Sequence, residues 1–363
     1  MFRTELAVVG AGPAGLSAAL AAAECGVATL IVDNGSTPGG QLVKQTHKFF
    51  GSKAEHAGTR GIDIARQLAD ELQRSPEVEY WRESTALGYY EDRVLLVELE
   101  GRALPVRCDA LVVATGAAER HVVFPGNDLP GIYGAGAVQT LMNVHGVKPG
   151  ERVLMVGAGN IGLIVSYQLL QAGVQVAAVV EAARSIGGYA VHASKLRRLS
   201  VPILTSHTVK EAHGHEQLER ATVWRVDETF TGVPGTEIEF DVDVICLAVG
   251  LSPVTDLLWQ IGCKMKYVPE LGGHVPLRNE NMQTTRSEVF VAGDASGVEE
   301  GSSAMVTGRL AGYAAAAHLG KCPDFESRKR ECQRALDALR AGPSGQKVRT
   351  GLSTVVWREA VTC

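Results

Sequence analysis

The chain has 363 residues, 45% of them hydrophobic and 21% charged, with a net charge of −5. That balance supports sizeable cores in two or three domains, argues against global disorder, and gives no electrostatic footing for nucleic acid. No apolar run approaches the ~20 uncharged residues that a membrane span needs. The first strand-like run starts too close to Met1 for a signal peptide, which points to a cytoplasmic protein. The seven cysteines (25, 108, 246, 263, 322, 332 and 363) form no C-x-x-C pair and no metal-like cluster, which suits reduced thiols.

An apolar run, Leu6 to Val9, meets Gly10-Ala11-Gly12-Pro13-Ala14-Gly15, and an alanine-rich stretch follows to Ala23. This predicts strand, tight turn and helix. Gly10 lets the chain turn, Gly12 lets the backbone approach a pyrophosphate, and Gly15 lets the helix pack on the strand. The helix N-terminus would offer N–H groups and a positive dipole end to phosphate. A second apolar run, Ala28 to Val32, ends at Asp33, where a carboxylate can accept both ribose hydroxyls. A lone G-x-G-x-x-G is weak evidence; strand before, helix after and the acid beyond make it specific.

Gly39-Gly40-Gln41-Leu42 comes next, and residues 43–57 read as loop. Gly61 to Gln73 has apolar residues at helical spacing and stops at Ser75-Pro76. Strands are predicted over 78–81, 94–99 and 110–114, the last leading into Thr115-Gly116. Pro125-Gly126 and Pro130-Gly131 punctuate a connector. Then the opening unit recurs: Val153–Val156 meets Gly157-Ala158-Gly159-Asn160-Ile161-Gly162, and a helix runs from about Leu163 to Gln171. Gly173 stands to Gly157 as Gly26 stands to Gly10, a strand over 174–180 ends at Glu181, and the Gly pair returns as Gly187-Gly188. Such a repeat implies two dinucleotide-binding units.

Short strands are predicted over 201–204, 221–226, 237–240 and 242–249, with Gly250-Leu251-Ser252-Pro253 crossing back. A buried strand, 288–292, ends in Gly293-Asp294, and 300–319 reads as a helix rich in Ala and Gly. Residues 328–340 predict a surface helix ended by Gly342-Pro343.

On Gly10-x-Gly12-x-x-Gly15, Asp33, Gly39-Gly40-Gln41-Leu42, Ala114-Thr115-Gly116, Gly157-x-Gly159-x-x-Gly162 and Gly293-Asp294, the chain resembles the pyridine nucleotide–disulfide oxidoreductases, in their thioredoxin-reductase-like branch. The resemblance runs from residue 6 to about 320. It implies an α/β fold of two Rossmann-like three-layer ββα dinucleotide-binding domains, the second inserted in the first. Residues 1–120 and 245–320 would bind FAD, 121–244 would bind NAD(P), and 321–363 would be a C-terminal tail. For FAD the resemblance implies Gly10, Gly12, Pro13, Ala14 and Gly15 at the pyrophosphate and Asp33 at the ribose. Gly40, Gln41 and Leu42 would lie beside the ribityl chain or flavin, Thr115 and Gly116 at the crossover, and Gly293 and Asp294 at a ribityl hydroxyl or phosphate. The helix after Asp294 would aim its N-terminus at the flavin. For NAD(H) it implies Gly157, Gly159, Asn160, Ile161 and Gly162, with Glu181 at the ribose.

Two departures matter. No cysteine lies between the Ala-Thr-Gly motif and the second fingerprint, and none in 34–107, so both disulfide-reductase patterns fail. After the Gly-Gly-Gln-Leu run, Thr46-His47-Lys48-Phe49-Phe50-Gly51 replaces the family's Asn, aromatic, Pro and Gly, which alters the expected flavin contacts there. The Pro125-Gly126-Asn127-Asp128-Leu129-Pro130-Gly131-Ile132-Tyr133 connector and the cysteine-free redox region make the chain more similar to flavin subunits of multi-subunit dehydrogenases. These are the hydrogen cyanide synthase, opine oxidase, dye-linked proline dehydrogenase and heterotetrameric sarcosine oxidase group. The implied partners are other subunits, with any iron–sulfur cluster on another polypeptide; a homo-oligomer is compatible.

Other side chains have both a functional and a plain reading. His47 and Lys48 would bind a substrate carboxylate or simply line a solvated loop. His192, Lys195, Arg197 and Arg198 would attract an anion or form a solvated helix face. Arg184 would meet a 2′-phosphate, but Glu181 would repel one, which favours NAD. Glu299-Glu300 would complement the helix dipole, Cys246 would be inert core, and His213-x-His215 would be an exposed turn without a third metal ligand. No catalytic residue can be named. The expected activity is FAD-dependent electron transfer between a small-molecule donor or NAD(P)H and a redox partner. The alternative is a structural or regulatory nucleotide-binding subunit.

Overall fold

The structure is a computed structural model that describes residues 1–49, 55–343 and 345–357. Two compact units divide the chain, Met1–Ala118 with Ser252–Cys363, and Glu119–Leu251. Each is an α/β unit, the first built on a mixed sheet and the second on a parallel one.

In the first unit the strands lie in the order Val78–Trp81, Thr29–Val32, Phe2–Val9, Arg102–Val113, Val94–Leu99, Ser84–Tyr89. Arg102–Val113 is long because it serves two neighbourhoods. Its first half pairs antiparallel with Val94–Leu99, and its last residues, Leu111–Val113, pair parallel with Val289–Val291. Side chains alternate across the sheet as strand geometry requires. Leu6 and Val8 enter a core with the helices, whereas Ala7 and Val9 enter a second core with the antiparallel meander.

The helical layer explains the Ala and Gly content of 300–319. Gly301–His318 lies against Pro13–Glu24 so closely that a Cβ on Gly308 would sit 2.2 Å from the Ala14 carbonyl oxygen, and one on Gly312 would sit 2.1 Å from that of Ala18. Only glycine admits that approach.

The second unit has an all-parallel sheet in the order Ile203–Thr205, Gln175–Glu181, Arg152–Val156, Val244–Leu247, Ile132–Gly134. Helices Ala135–Asn143, Asn160–Gln171 and Ala190–Arg198 pack on one face. An antiparallel sheet of His207–Gly214, Leu218–Arg225 and Ile238–Asp241 packs on the other.

Several expectations change. Val244–Leu247 pairs with Arg152–Val156 and so belongs to the second unit, which moves the domain bound from 244/245 to 251/252, inside the Gly250-Leu251-Ser252-Pro253 stretch read as the crossing back. The 321–363 segment clusters with the first unit: Cys332 and Leu336 of the Phe325–Leu339 helix enter its main core. Lys321 Nζ donates to Glu5 at 2.6 Å, and Arg328 Nη1 donates to Glu24 at 2.7 Å. His213 lies in a strand rather than a turn, its Nε2 2.8 Å from the Thr222 hydroxyl.

Candidate functional site

The first fingerprint is a turn that forces glycine. Gly10 has φ +107° and would drive a Cβ to 2.4 Å from the Ala114 oxygen, and one on Gly15 would fall 1.7 Å from the Gly10 oxygen. Gly12 is different: a Cβ there would meet nothing within 4 Å. Gly12 is also the N-cap of Pro13–Glu24, which has no side-chain cap and no acid in its first turn. Open space therefore lies before an uncapped helix N-terminus, the arrangement that receives phosphate oxygens.

The predicted side chains gather around this turn. Asp33 Oδ2 accepts from the Ala11 amide at 2.6 Å, and Oδ1 from the Gly35 amide at 2.8 Å. Gly39 donates to the Ala11 carbonyl at 2.8 Å, and a Cβ on Gly40 would lie 2.7 Å from Gly12 Cα. Leu42 is buried, and Gln41 is exposed. Gly293, at φ +63°, packs on Ala14, and its amide is held by Thr307 Oγ1 at 3.1 Å. Asp294 is buried enough that desolvation pushes its carboxyl up to about 6, against the pull of the Glu299 amide. Thr115 Oγ1 donates to the Val254 carbonyl at 2.6 Å, and Val254 donates to the Gly116 carbonyl at 3.0 Å, so these two residues hold the returning chain.

The second fingerprint repeats the geometry. Gly157 has φ +107°, and a Cβ on it would lie 2.3 Å from the Ala248 oxygen. Gly162 is pressed on the Gly157 oxygen at 2.0 Å by the same measure, while Gly159 again faces open space. Gly159 caps Asn160–Gln171 without a side-chain cap or first-turn acid. Glu181 Oε2 accepts from the Ala158 amide at 2.8 Å, and Oε1 from the Ala183 amide at 3.0 Å. Asn160 Oδ1 accepts from the Tyr189 amide at 2.8 Å, and Ile161 is exposed.

The remaining candidates separate. Arg184 pairs with Glu228 at an exposed position. His192 is buried, not on a solvated face, and burial and Lys195 lower its pKa. Lys195 lies over the Tyr167 ring at 5.1 Å, while Arg197 and Arg198 are exposed. Lys48 is exposed, whereas His47 stacks on Phe49 at 5.9 Å, and the Phe49 ring covers Gly301. Phe50 and Gly51 of the expected flavin loop lie outside the described residues. Glu299 does not simply face the helix dipole: it is claimed by Arg340, a pairing that no sequence spacing signals. Cys246 is fully buried, and burial pushes its thiol up.

A family profile described as pyridine nucleotide-disulphide oxidoreductase matches residues 4–321. The chain belongs to that family. Its fold follows the family. Among curated relatives, an opine oxidase subunit from Agrobacterium tumefaciens (strain Ach5) is 28% identical over 336 residues, 87% of this chain and 66% of that one. The HcnB subunit of hydrogen cyanide synthase from Pseudomonas aeruginosa is 29% identical over 330 residues, 84% of this chain and 69% of that one. The chain therefore spans about two-thirds of the length of these relatives. The thioredoxin reductase of T. acidophilum superposes with a TM-score of 0.71 at 19% identity, over 88% of this chain and 99% of that one, a likeness of fold.

The first unit's residues fit the family's FAD. Open space before Gly12, the uncapped helix behind it and a carboxylate at the strand end are what a diphosphate and an adenosine ribose require.

Proposed function

We propose that this chain holds FAD in its first unit and NAD(H) in its second, and is the flavin subunit of a multi-subunit dehydrogenase. It would pass electrons between a small-molecule donor or NAD(P)H and a redox partner. It would not reduce disulfides. The carrying observation is the duplicated one: an open glycine, an uncapped helix N-terminus and a carboxylate latched to the turn, at Gly12 and Asp33 and again at Gly159 and Glu181.

FAD, when bound, supplies the ring that takes a hydride and releases electrons. The chain's own part is positional. Ala14 and Gly15 amides at the first helix turn would face the diphosphate, and Asp33, fixed by two backbone amides, would receive the ribose hydroxyls. Pro13 would preset the first helical turn without an amide to satisfy. Gly40, Gln41, Leu42, Thr115, Gly116, Gly293 and Asp294 would line the remainder. In the second unit Gly157, Gly159, Asn160, Ile161, Gly162 and Glu181 would take the same roles for NAD(H).

Both curated relatives are named as parts of larger enzymes, which supports a partnered enzyme here. Thiol chemistry lacks support: the six cysteines among the described residues are free, and burial raises the pKa of Cys108, Cys246, Cys263, Cys322 and Cys332. The test is anaerobic mixing of the FAD-loaded protein with NADH and, separately, with small amino and imino acids. Bleaching of the flavin absorbance by one of them supports the reading. A flavin that every donor leaves oxidised would favour a structural or regulatory role.

A further inference from the structure

Arg340, beyond the C-terminal end of the Phe325–Leu339 helix, reaches the loop that follows Asp294. Its Nε donates to Glu299 Oε2 at 2.8 Å and its Nη2 to Glu299 Oε1 at 2.7 Å. The two side chains are only 14% and 8% exposed. This is a bidentate, desolvated pair, the strongest geometry available to Arg and a carboxylate. The Glu299 amide in turn donates to Asp294 Oδ1 at 3.2 Å, and the Gly297 amide to the Asp294 carbonyl at 3.1 Å. On the other side, Val298 donates to the Leu271 carbonyl at 2.9 Å.

A second guanidinium stands nearby. Arg278 is 3% exposed, and its Nε has no hydrogen-bond partner among the described residues. Burial and the neighbouring Arg340 lower its pKa to about 10, and Glu299 is the charge that offsets them. Of the two guanidinium groups, Arg340 is the one that holds Glu299 directly.

We propose that Arg340 and Glu299 are positioning residues of the FAD site, so that the C-terminal segment sets the orientation of Asp294 although it lies outside the nucleotide-binding motifs. This rests on the reading that the first unit holds FAD. The rest of the segment supports such a role. Arg340 is steadied by its own carbonyl, which accepts from Arg349, and by the contact of Gly345 with its backbone.

The experiment uses the full chain with Arg340→Gln and Arg340→Lys. FAD affinity is measured by flavin fluorescence from pH 5.5 to 8.5, and backbone amide exchange is followed in the FAD-free protein. Wild type should bind FAD. Arg340→Gln should weaken binding tenfold or more, alter its pH profile, and speed amide exchange at Gly297 and Glu299. Arg340→Lys, which keeps the charge with fewer hydrogen bonds, should recover most of the loss and stay two- to fivefold weaker. ADP-ribose binding to the second unit should not move. If Arg340→Gln fails to fold, Arg340→Lys carries the test, and unchanged FAD affinity and exchange in it overturn the inference. Wild-type affinity and exchange in Arg340→Gln overturn it equally, while leaving the FAD reading intact. A wild-type chain that takes up no FAD overturns both.

Discussion

The Asp33 carboxylate accepts the Ala11 amide at 2.6 Å, clasping the end of one strand to the turn after another. Glu181 does the same to Ala158 at 2.8 Å, although it comes one residue later in its repeat. The extra residue is absorbed where the register of Gln175–Glu181 against Arg152–Val156 shifts between Val176 and Ala178. A β-bulge of this kind shifts the chain by one residue without moving the strand end. The acid is therefore held in the same relation to the turn in both units.

The glycines of each fingerprint should separate by role. Gly12→Ala adds a methyl to open space and should leave thermal stability within about 0.5 kcal/mol, yet weaken FAD at least tenfold by blocking the diphosphate. Gly15→Ala places a Cβ on the Gly10 oxygen and should destabilise the unit by ~1–3 kcal/mol or more. Denaturant melts with and without FAD check both; equal stability losses in the two variants would contradict the assignment.

Nucleotide preference should follow Glu181. The wild type should bind NAD in preference to NADP, because the carboxylate repels a 2′-phosphate. Glu181→Ala should narrow the preference. Calorimetric titration with both nucleotides reads this directly, and tighter wild-type binding of NADP would refute the role.

Asp294 gives a pH signature. Its folded pKa, about 6, lies above the ordinary value, so the folded chain holds this proton more tightly than the unfolded chain. Its contribution to stability is full below about pH 4, declines as pH rises to about 6, and stays lost above that. In the FAD-free protein, Asp294→Asn should add about 1–3 kcal/mol at pH 7.5 and little at pH 4.5. Urea melts at the two pH values test it; an equal effect at both would show that Asp294 does not titrate in this window.

Thiols should be dispensable. A variant with all seven cysteines changed to Ser or Ala, folded and holding FAD, should be reduced by its donor within about tenfold of wild type, ~1.4 kcal/mol of barrier. Loss of several orders of magnitude would implicate a thiol.

Sequence made the two glycine turns and their latched acids legible because each depends on local steric needs: glycine at a strained turn, an acid at a strand end, an apolar strand before and a helix after. It missed elements whose cause is tertiary. His207–Gly214 buries only Val209 and Ala212, and its irregular register breaks the alternation that marks a strand. Ala135–Asn143 has no capping side chain to announce it and is a helix because Ala135, Val138 and Gln139 find a core. The Arg340–Glu299 pair joins residues 41 positions apart, with no motif at either end.

Titrating the purified, folded chain with FAD while its absorbance is recorded should yield a yellow protein. It should hold one FAD per chain without a covalent link, released intact on denaturation. A folded chain that stays colourless and takes up no FAD on reconstitution would contradict the FAD assignment.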